Sequence, residues 1–302
     1  MKNPIYDELT LLKLISKKNL ITLSNTTRDK KIKVIKDLKT KIIFLEKYIT
    51  NSDYYSALKY KDEDRKSVNQ SKRKIRNVKT LSGNIKTPMI NDDHRRASQF
   101  DKLLKNKNIL DFGCGWGSFL SNIKNYKSLN GVELRKECID HIKNKHKKIK
   151  ISNDINYFKK KFDIITMFHV LEHIPYQVET LKILKSKLKN KGKIIIEIPH
   201  AEDFLILQDE LKEFKKFTFW SEHLILHTYK SLKSILLKSG FKKINIQYYQ
   251  RYNFSNHLGW FINRKPGGHN FYKEIVSDSL NSSYCDNLKK LGQTDTLIAI
   301  AE

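Results

Sequence analysis

Asp111 closes the apolar run Asn108-Ile-Leu-Asp111, and three glycines at alternate positions follow it, Gly113, Gly115 and Gly117, with Cys114 and Trp116 between them. Glycine has no Cβ, so such a run can turn tightly, let a ligand approach the backbone and open a helix. The spacing is GxGxG, not the GxGxxG that seats a pyrophosphate on a helix N-terminus. An acid beside such a loop suits a ligand that carries positive charge. Two more acids stand where the next two strands are expected to end. Glu133 lies in Gly131-Val-Glu-Leu134-Arg135, and Asp154 lies in Asn153-Asp-Ile155. A carboxylate at Glu133 can accept hydrogen bonds from both hydroxyls of a ribose. Asp154 could meet an adenine amino group, and Ile155 could pack on the ring.

S-adenosylmethionine suits such a site, because it has no pyrophosphate and carries a sulfonium and an ammonium instead. The stretches Ile109-Leu-Asp-Phe-Gly-Cys-Gly-Trp-Gly117, Gly131-Val-Glu133, Phe162-Asp-Ile-Ile165 with Val170-Leu-Glu-His-Ile174, and Lys191-Gly-Lys-Ile-Ile-Ile196 together resemble the class I S-adenosylmethionine-dependent methyltransferases. The similarity covers about residues 100–250 and the last strand. It implies a Rossmann-like seven-stranded α/β sheet of order 3-2-1-4-5-7-6 with strand 7 antiparallel, and S-adenosylmethionine over the carboxyl ends of the strands. The expected cofactor contacts are Asp111, Gly113, Cys114, Gly115, Gly117, Glu133, Leu134, Asp154 and Ile155. Phe168 and His169 join them, because in the family their position is the loop beside the methionine end of the cofactor.

His169-Val-Leu-Glu172-His173 also fits the H-x-x-E-H pattern of one zinc peptidase class. That pattern needs both histidines on one helix face, yet here a strand precedes it and Pro175 follows. No metal is expected. A second histidine cluster comprises His200 and Trp220-Ser-Glu222-His223-Leu-Ile-Leu-His227-Thr228. Its segment Ser221-Glu-His-Leu224, with Thr228 opening a helix that ends at Gly240-Phe241, is similar to a segment of bacterial sugar C-methyltransferases. That resemblance implies His223 as general base with Glu222 beside it, and His173 is the next candidate. This chain departs from those enzymes in having no cysteine in its N-terminal zone, where they carry a zinc-binding domain.

The elements that must hold these residues follow from periodicity. Short apolar runs at Asn108–Phe112, Leu129–Glu133, Lys148–Ile151, Phe162–Phe168, Lys193–Ile198, Ile244–Tyr249 and Thr296–Ala301 predict strands. Amphipathic stretches at Gly117–Lys124, Lys136–Lys143, Gln177–Leu188 and Tyr229–Ser239 predict helices. Such alternation makes a parallel sheet covered on both faces. Gly192 and Gly240 are expected to mark helix ends. Residues 1–98 read as a mostly helical accessory region, with Ile32, Ile35, Leu38, Ile42, Ile43, Leu45 and Ile49 predicting a helix through 30–50. The charge run at 61–80 predicts a solvated helix or linker. Residues 99–302 form the methyltransferase domain. Its insertion 251–293 is long enough to be a lid or substrate element, and Arg264-Lys-Pro-Gly-Gly-His269 within it reads as a surface turn.

Composition bounds the remaining choices. The net charge is +27, but nine of the 59 basic residues are Arg, the rest are Lys spread along the chain, and phosphate recognition favours the planar Arg fork. Specific nucleic-acid binding is not expected on that evidence. Three cysteines, Cys114, Cys138 and Cys285, form no CxxC, which suits a reducing cytoplasm rather than a disulfide framework. The first twenty residues carry no signal-peptide pattern, and no run reaches the roughly 20 apolar residues that span a bilayer. The expected activity is methyl transfer to a small molecule, a sugar or nucleotide-linked sugar of cell-surface glycan biosynthesis. The alternatives are an RNA methyltransferase, against which His169-Val-Leu-Glu172 stands in place of an Asn/Asp-Pro-Pro-aromatic motif, and a non-catalytic cofactor-binding protein.

Overall fold

The computed structural model describes residues 3–48, 88–272 and 274–302. Its strands are β1 (Leu20–Ser24), β2 (Val34–Asp37), β3 (Ile43–Leu45), β4 (Asn108–Phe112), β5 (Ser128–Val132), β6 (Ile149–Ser152), β7 (Phe162–Phe168), β8 (Leu188–Pro199), β9 (Ile225–Leu226), β10 (Ile244–Tyr249) and β11 (Thr296–Ala301). Seven of them join in the order β10-β11-β8-β7-β4-β5-β6. Numbered from β4 in chain order, that is the expected 3-2-1-4-5-7-6. β11 is antiparallel to both β8 and β10, whereas β4 runs parallel to β5 and β7. The strands are rich in Ile and Leu because helices cover both faces of such a sheet. Ile109, Leu110, Ile165, Ile195 and Ile298 are all fully buried.

The chain divides into two compact units. One comprises Thr50–Met167 and Lys187–Lys193 and holds β4, β5, β6 and nearly all of β7. In it the helix Pro88–Gln99 precedes β4, and the helix Ser118–Asn122 begins directly after the glycine loop. Gly192 does not end a helix, as its spacing suggested. The helix Gln177–Ser186 has already stopped, and Gly192 lies inside β8, where an added Cβ would come within 3.0 Å of the Lys189 carbonyl oxygen and 3.1 Å of that of Phe162. Gly240, by contrast, follows the helix Tyr229–Lys238 with φ 92°, as a C-terminal stop requires.

The other unit comprises Met1–Ile49, Phe168–Ser186 and Ile194–Glu302. Its N-terminal part corrects the mostly helical expectation. Among its described residues the only α-helix is Pro4–Leu11, a short 3-10 turn follows at Lys17–Asn19, and the predicted helix through 30–50 is instead the antiparallel pair β2 and β3. The cause is Asp37. Its Oδ1 accepts the N–H groups of Lys39 at 2.9 Å and Thr40 at 2.8 Å, Lys41 takes φ 63°, and the chain reverses. Ile42, Ile43, Phe44 and Leu45 are then buried in succession, which no single helix face allows. β1, β2 and β3 form a four-stranded sheet whose last member is β9, with Ile43 opposite Leu226 and Phe44 opposite Ile225. The insertion 251–293 is largely helical, with helices at Phe254–Asn263 and Asp278–Leu291. The charge run at 61–80 and Ile49 lie outside the described residues. No helix among the described residues is long and apolar enough to cross a membrane.

Candidate active site

The glycine loop is built as its sequence demands. Gly113, Gly115 and Gly117 all have positive φ, at 79°, 53° and 79°, so each uses the left-handed region that a Cβ disfavours. Gly131 is needed for a different reason: a Cβ there would lie 2.6 Å from Cys114 Sγ, so the loop packs its thiol into the space a side chain would fill. Cys114 is buried, and burial raises its thiol well above the ordinary range. It packs the cradle against Gly131.

Three acids lie at or just beyond the carboxyl ends of β4, β5 and β6. Asp111 is buried and accepts the Thr166 hydroxyl at 2.6 Å from the register position opposite it on β7. Burial drives its carboxyl up, to about 7, against the lowering effect of that hydrogen bond. Glu133 sits one residue beyond β5. Its Oε2 accepts the Gly115 N–H at 2.8 Å, and its Oε1 accepts the N–H groups of Leu134 at 2.9 Å and Arg135 at 3.0 Å. The Arg135 guanidinium closes on the same carboxylate at 3.2 and 3.3 Å. Asp154 caps the short helix Ile155–Tyr157 by accepting the Asn156 N–H, and Ile155 is fully buried beneath it. Thr166 and Arg135 were not singled out from sequence. The register of β7 against β4 and the two-residue step from Glu133 were the only signals for them.

These residues fit S-adenosylmethionine by the chemistry of their donors. Glu133 and Asp111 are buried acceptors beside a loop whose backbone is open to close approach, and a ligand bringing two hydroxyls and positive charge matches both. Asp154 keeps a carboxylate oxygen free of the cap it makes through Oδ1.

A second constellation lies wholly in the other unit, together with the remaining predicted residues Phe168, His169, His173, Glu222 and His223. His169 follows β7 with φ 54°, an uncommon conformation for a residue with a Cβ and one that collects at functional sites. Its Nδ1 donates to Glu172 Oε1 at 3.2 Å, and its Nε2 faces Glu197 Oε1 at 3.5 Å. Burial and Arg251 oppose a charge on His169, yet the two carboxylates outweigh them and raise its pKa. Glu172 is completely buried. Burial alone would push its carboxyl up, but the His169 hydrogen bond and the nearby His173 bring it down to about 2.

The turn Leu171–His173 is clamped to the 222–224 segment by two hydrogen bonds. His173 Nδ1 donates to the Glu222 carbonyl oxygen at 2.8 Å, and the Leu224 N–H donates to that of Glu172 at 2.8 Å. This brings the rings of His173 and His223 edge to face, with centroids 4.9 Å apart. Burial and the neighbouring His173 push His223 down to about 3, so its ring is uncharged near neutrality. Glu222 is exposed and meets His173 through its backbone. The N-terminal strands reach this segment too. Leu45 N–H donates to Leu224 O, Asp29 accepts the Ser221 N–H at 3.0 Å, and the Arg28 guanidinium lies 5.0 Å over Trp220.

The other two histidines of the cluster are buried and held by other partners. His227 is buried between Ser231 at 3.0 Å and Gln177 at 2.9 Å, and His200 meets the Thr294 carbonyl oxygen at 2.8 Å. Glu172 is the group that sequence reasoning underweighted. The His-x-x-Glu-His pattern contained it, but only the fold brings it to His223.

A family model described as a methyltransferase domain matches residues 75–246, more than half of the chain. The chain belongs to this methyltransferase family. S-adenosylmethionine is accordingly its cofactor. An uncharacterized protein of Methanocaldococcus jannaschii is 32% identical over 111 residues, 36% of this chain and 48% of that one. A ubiquinone biosynthesis O-methyltransferase of Coxiella burnetii is 31% identical over 100 residues, 30% of this chain and 43% of that one. A tRNA U34 carboxymethyltransferase of Nautilia profundicola is 28% identical over 154 residues, 47% and 49% of the two chains. The chain thus spans about half the length or less of these curated relatives.

Proposed function

We propose that the protein transfers the methyl group of S-adenosylmethionine to a hydroxyl-bearing or carbon-acid small molecule, with a sugar or nucleotide-linked sugar as the leading acceptor class. The observation that carries this reading is the Glu133 carboxylate, buried and preset by the Gly115, Leu134 and Arg135 N–H groups. When bound, S-adenosylmethionine supplies an electrophilic methyl. The chain's task is then to align the acceptor and manage its proton. Alignment supplies up to about 7–11 kcal/mol in the best intramolecular cases, and proton removal contributes roughly 10²–10⁴ in rate. Glu172, His173 and His223 are the groups we assign to the acceptor's proton. The clamp between Leu171–His173 and 222–224 holds them, and β1, β2 and β3 buttress that clamp as the accessory role of the N-terminal region.

Release of S-adenosylhomocysteine tests this reading against nucleotide-linked sugars, hydroxylated aromatics and transfer RNA in parallel. Turnover with a small acceptor supports it, and turnover with RNA alone overturns it. One observation favours the RNA reading. An open groove of about 500 Å³ is bordered by Lys124, Lys145, Lys147 and Lys148. It lies at the amino ends of β5 and β6, away from the glycine loop at the carboxyl end of β4. Phosphates held there would anchor a polymer without placing a nucleotide for reaction.

A further inference from the structure

The Glu172, His173 and His223 group has a property that proton transfer does not explain. One donor atom from each residue can be chosen so that all lie within 4.8 Å of one another. We infer that these three side chains form a binding site for one divalent transition-metal cation. The inference rests on the proposal that this group serves the acceptor, and it gives that service a chemical form.

Each donor is prepared for a cation. Glu172 is fully buried, and its Oε1 accepts from His169 while its Oε2 has no hydrogen-bond partner among the described residues. Leaving a buried carboxylate oxygen unmatched costs roughly 1–3 kcal/mol or more, and a cation would satisfy it. His173 donates through Nδ1 to the Glu222 carbonyl oxygen, so the neutral ring carries its lone pair on Nε2. A backbone carbonyl fixing the tautomer of a ligating imidazole is the usual outer support of a metal ligand. The ring of His223 touches those of His173 and Trp220, and neither of its nitrogens has a hydrogen-bond partner among the described residues.

Two imidazoles and one carboxylate favour an ion of the zinc or iron type over magnesium or calcium, which prefer all-oxygen sets. Three protein ligands also leave a position open, as in catalytic zinc sites. With bonds of about 2.1 Å, tetrahedral donors lie about 3.4 Å apart, so the histidine rings need to turn inward by about an ångström. Both are only half-buried, which leaves room for that turn. An acceptor hydroxyl on the open position would lose its proton more readily, as metal-bound water does.

The H-x-x-E-H pattern thus has a use different from the one its spacing suggests. His169 is not a ligand. It pairs with Glu172 and Glu197, and its partner in the pattern finds its fellow ligand some fifty residues downstream.

Cobalt(II) titration of the chelator-treated full chain tests the site. The expected result is one equivalent of cobalt with visible d–d absorption, no thiolate charge-transfer band, and displacement by zinc. Glu172→Gln and His223→Ala should each weaken binding at least tenfold, and His146→Ala, at the half-buried pair His141–His146, should not. No d–d band at one equivalent, or a band lost in His146→Ala and kept in His223→Ala, overturns the inference. In case a variant fails to fold, diethylpyrocarbonate labelling of the wild-type chain gives a second readout. Zinc should protect His173 and His223 and leave His146 reactive, and equal labelling with and without zinc overturns the site. Parallel titration with S-adenosylmethionine separates the two proposals. Intact cofactor binding without cobalt binding removes the metal and leaves methyl transfer standing.

Discussion

Glu133 accepts the Gly115 N–H through Oε2 at 2.8 Å, so the acid just beyond β5 and the middle glycine of the loop after β4 are one structural unit. The glycine loop is therefore held in shape by the residue expected to grip the cofactor. Gly115→Ala should disturb both roles. Alanine at φ 53° costs about 1–2 kcal/mol, and its Cβ would point at the Arg135 guanidinium, 3.5 Å away. Thermal melts should show the smaller loss, and cofactor titration should show the larger one.

Gly131→Ala should destabilise the protein by about 1–3 kcal/mol, because its Cβ would overlap Cys114 Sγ. Cys114→Ala in the same chain removes that sulfur and should recover much of the loss. A denaturant double-mutant cycle measures the coupling. Simple additivity of the two changes would mean that the thiol is not what Gly131 accommodates.

Asp111 predicts a pH dependence. Its folded pKa, about 7, lies above the unfolded value of 3.8. Between those limits the native state holds a proton that the unfolded state has released. Stability should therefore fall as pH rises from about 4 to 7, by up to a few kcal/mol. Asp111→Asn should remove that slope and be more stable than wild type above pH 7. A cationic cofactor favours the ionised form, so affinity for S-adenosylmethionine should rise between pH 6 and 8 in wild type and stay flat in Asp111→Asn.

The N-terminal strands are predicted to act on turnover. Burial would raise the Asp29 carboxyl, yet its hydrogen bonds to Ser221 outweigh this and lower its pKa. Asp29→Ala frees Ser221, two residues before His223. It should lower kcat about tenfold or more while leaving cofactor affinity unchanged. Equal loss of both would point to general unfolding instead.

Much of this architecture was legible in the sequence, because a parallel sheet writes itself as short Ile- and Leu-rich runs between amphipathic stretches. Asn108–Phe112, Phe162–Phe168, Ile244–Tyr249 and Thr296–Ala301 match the observed strands at both ends. The loop and its acids were legible for the same reason, since each sits at a strand end. The N-terminal strands were not. The spacing of Ile32, Ile35, Leu38 and Ile42 imitates a helix, and only the turn set by Asp37 breaks it. Gly192 misled because glycine follows helices often, whereas here close approach to Lys189 and Phe162 requires it. The meeting of Glu172 and His173 with His223 depends on hydrogen bonds between segments about fifty residues apart, which no local pattern encodes.

The most direct test of the account is calorimetric titration of S-adenosylmethionine into the wild-type chain and Glu133→Ala side by side. The account predicts one cofactor per wild-type chain and binding weaker by about 1–3 kcal/mol in the variant, since a charged acceptor for the ribose hydroxyls is lost. No binding to the wild-type chain, or equal affinity in a folded Glu133→Ala, would contradict it.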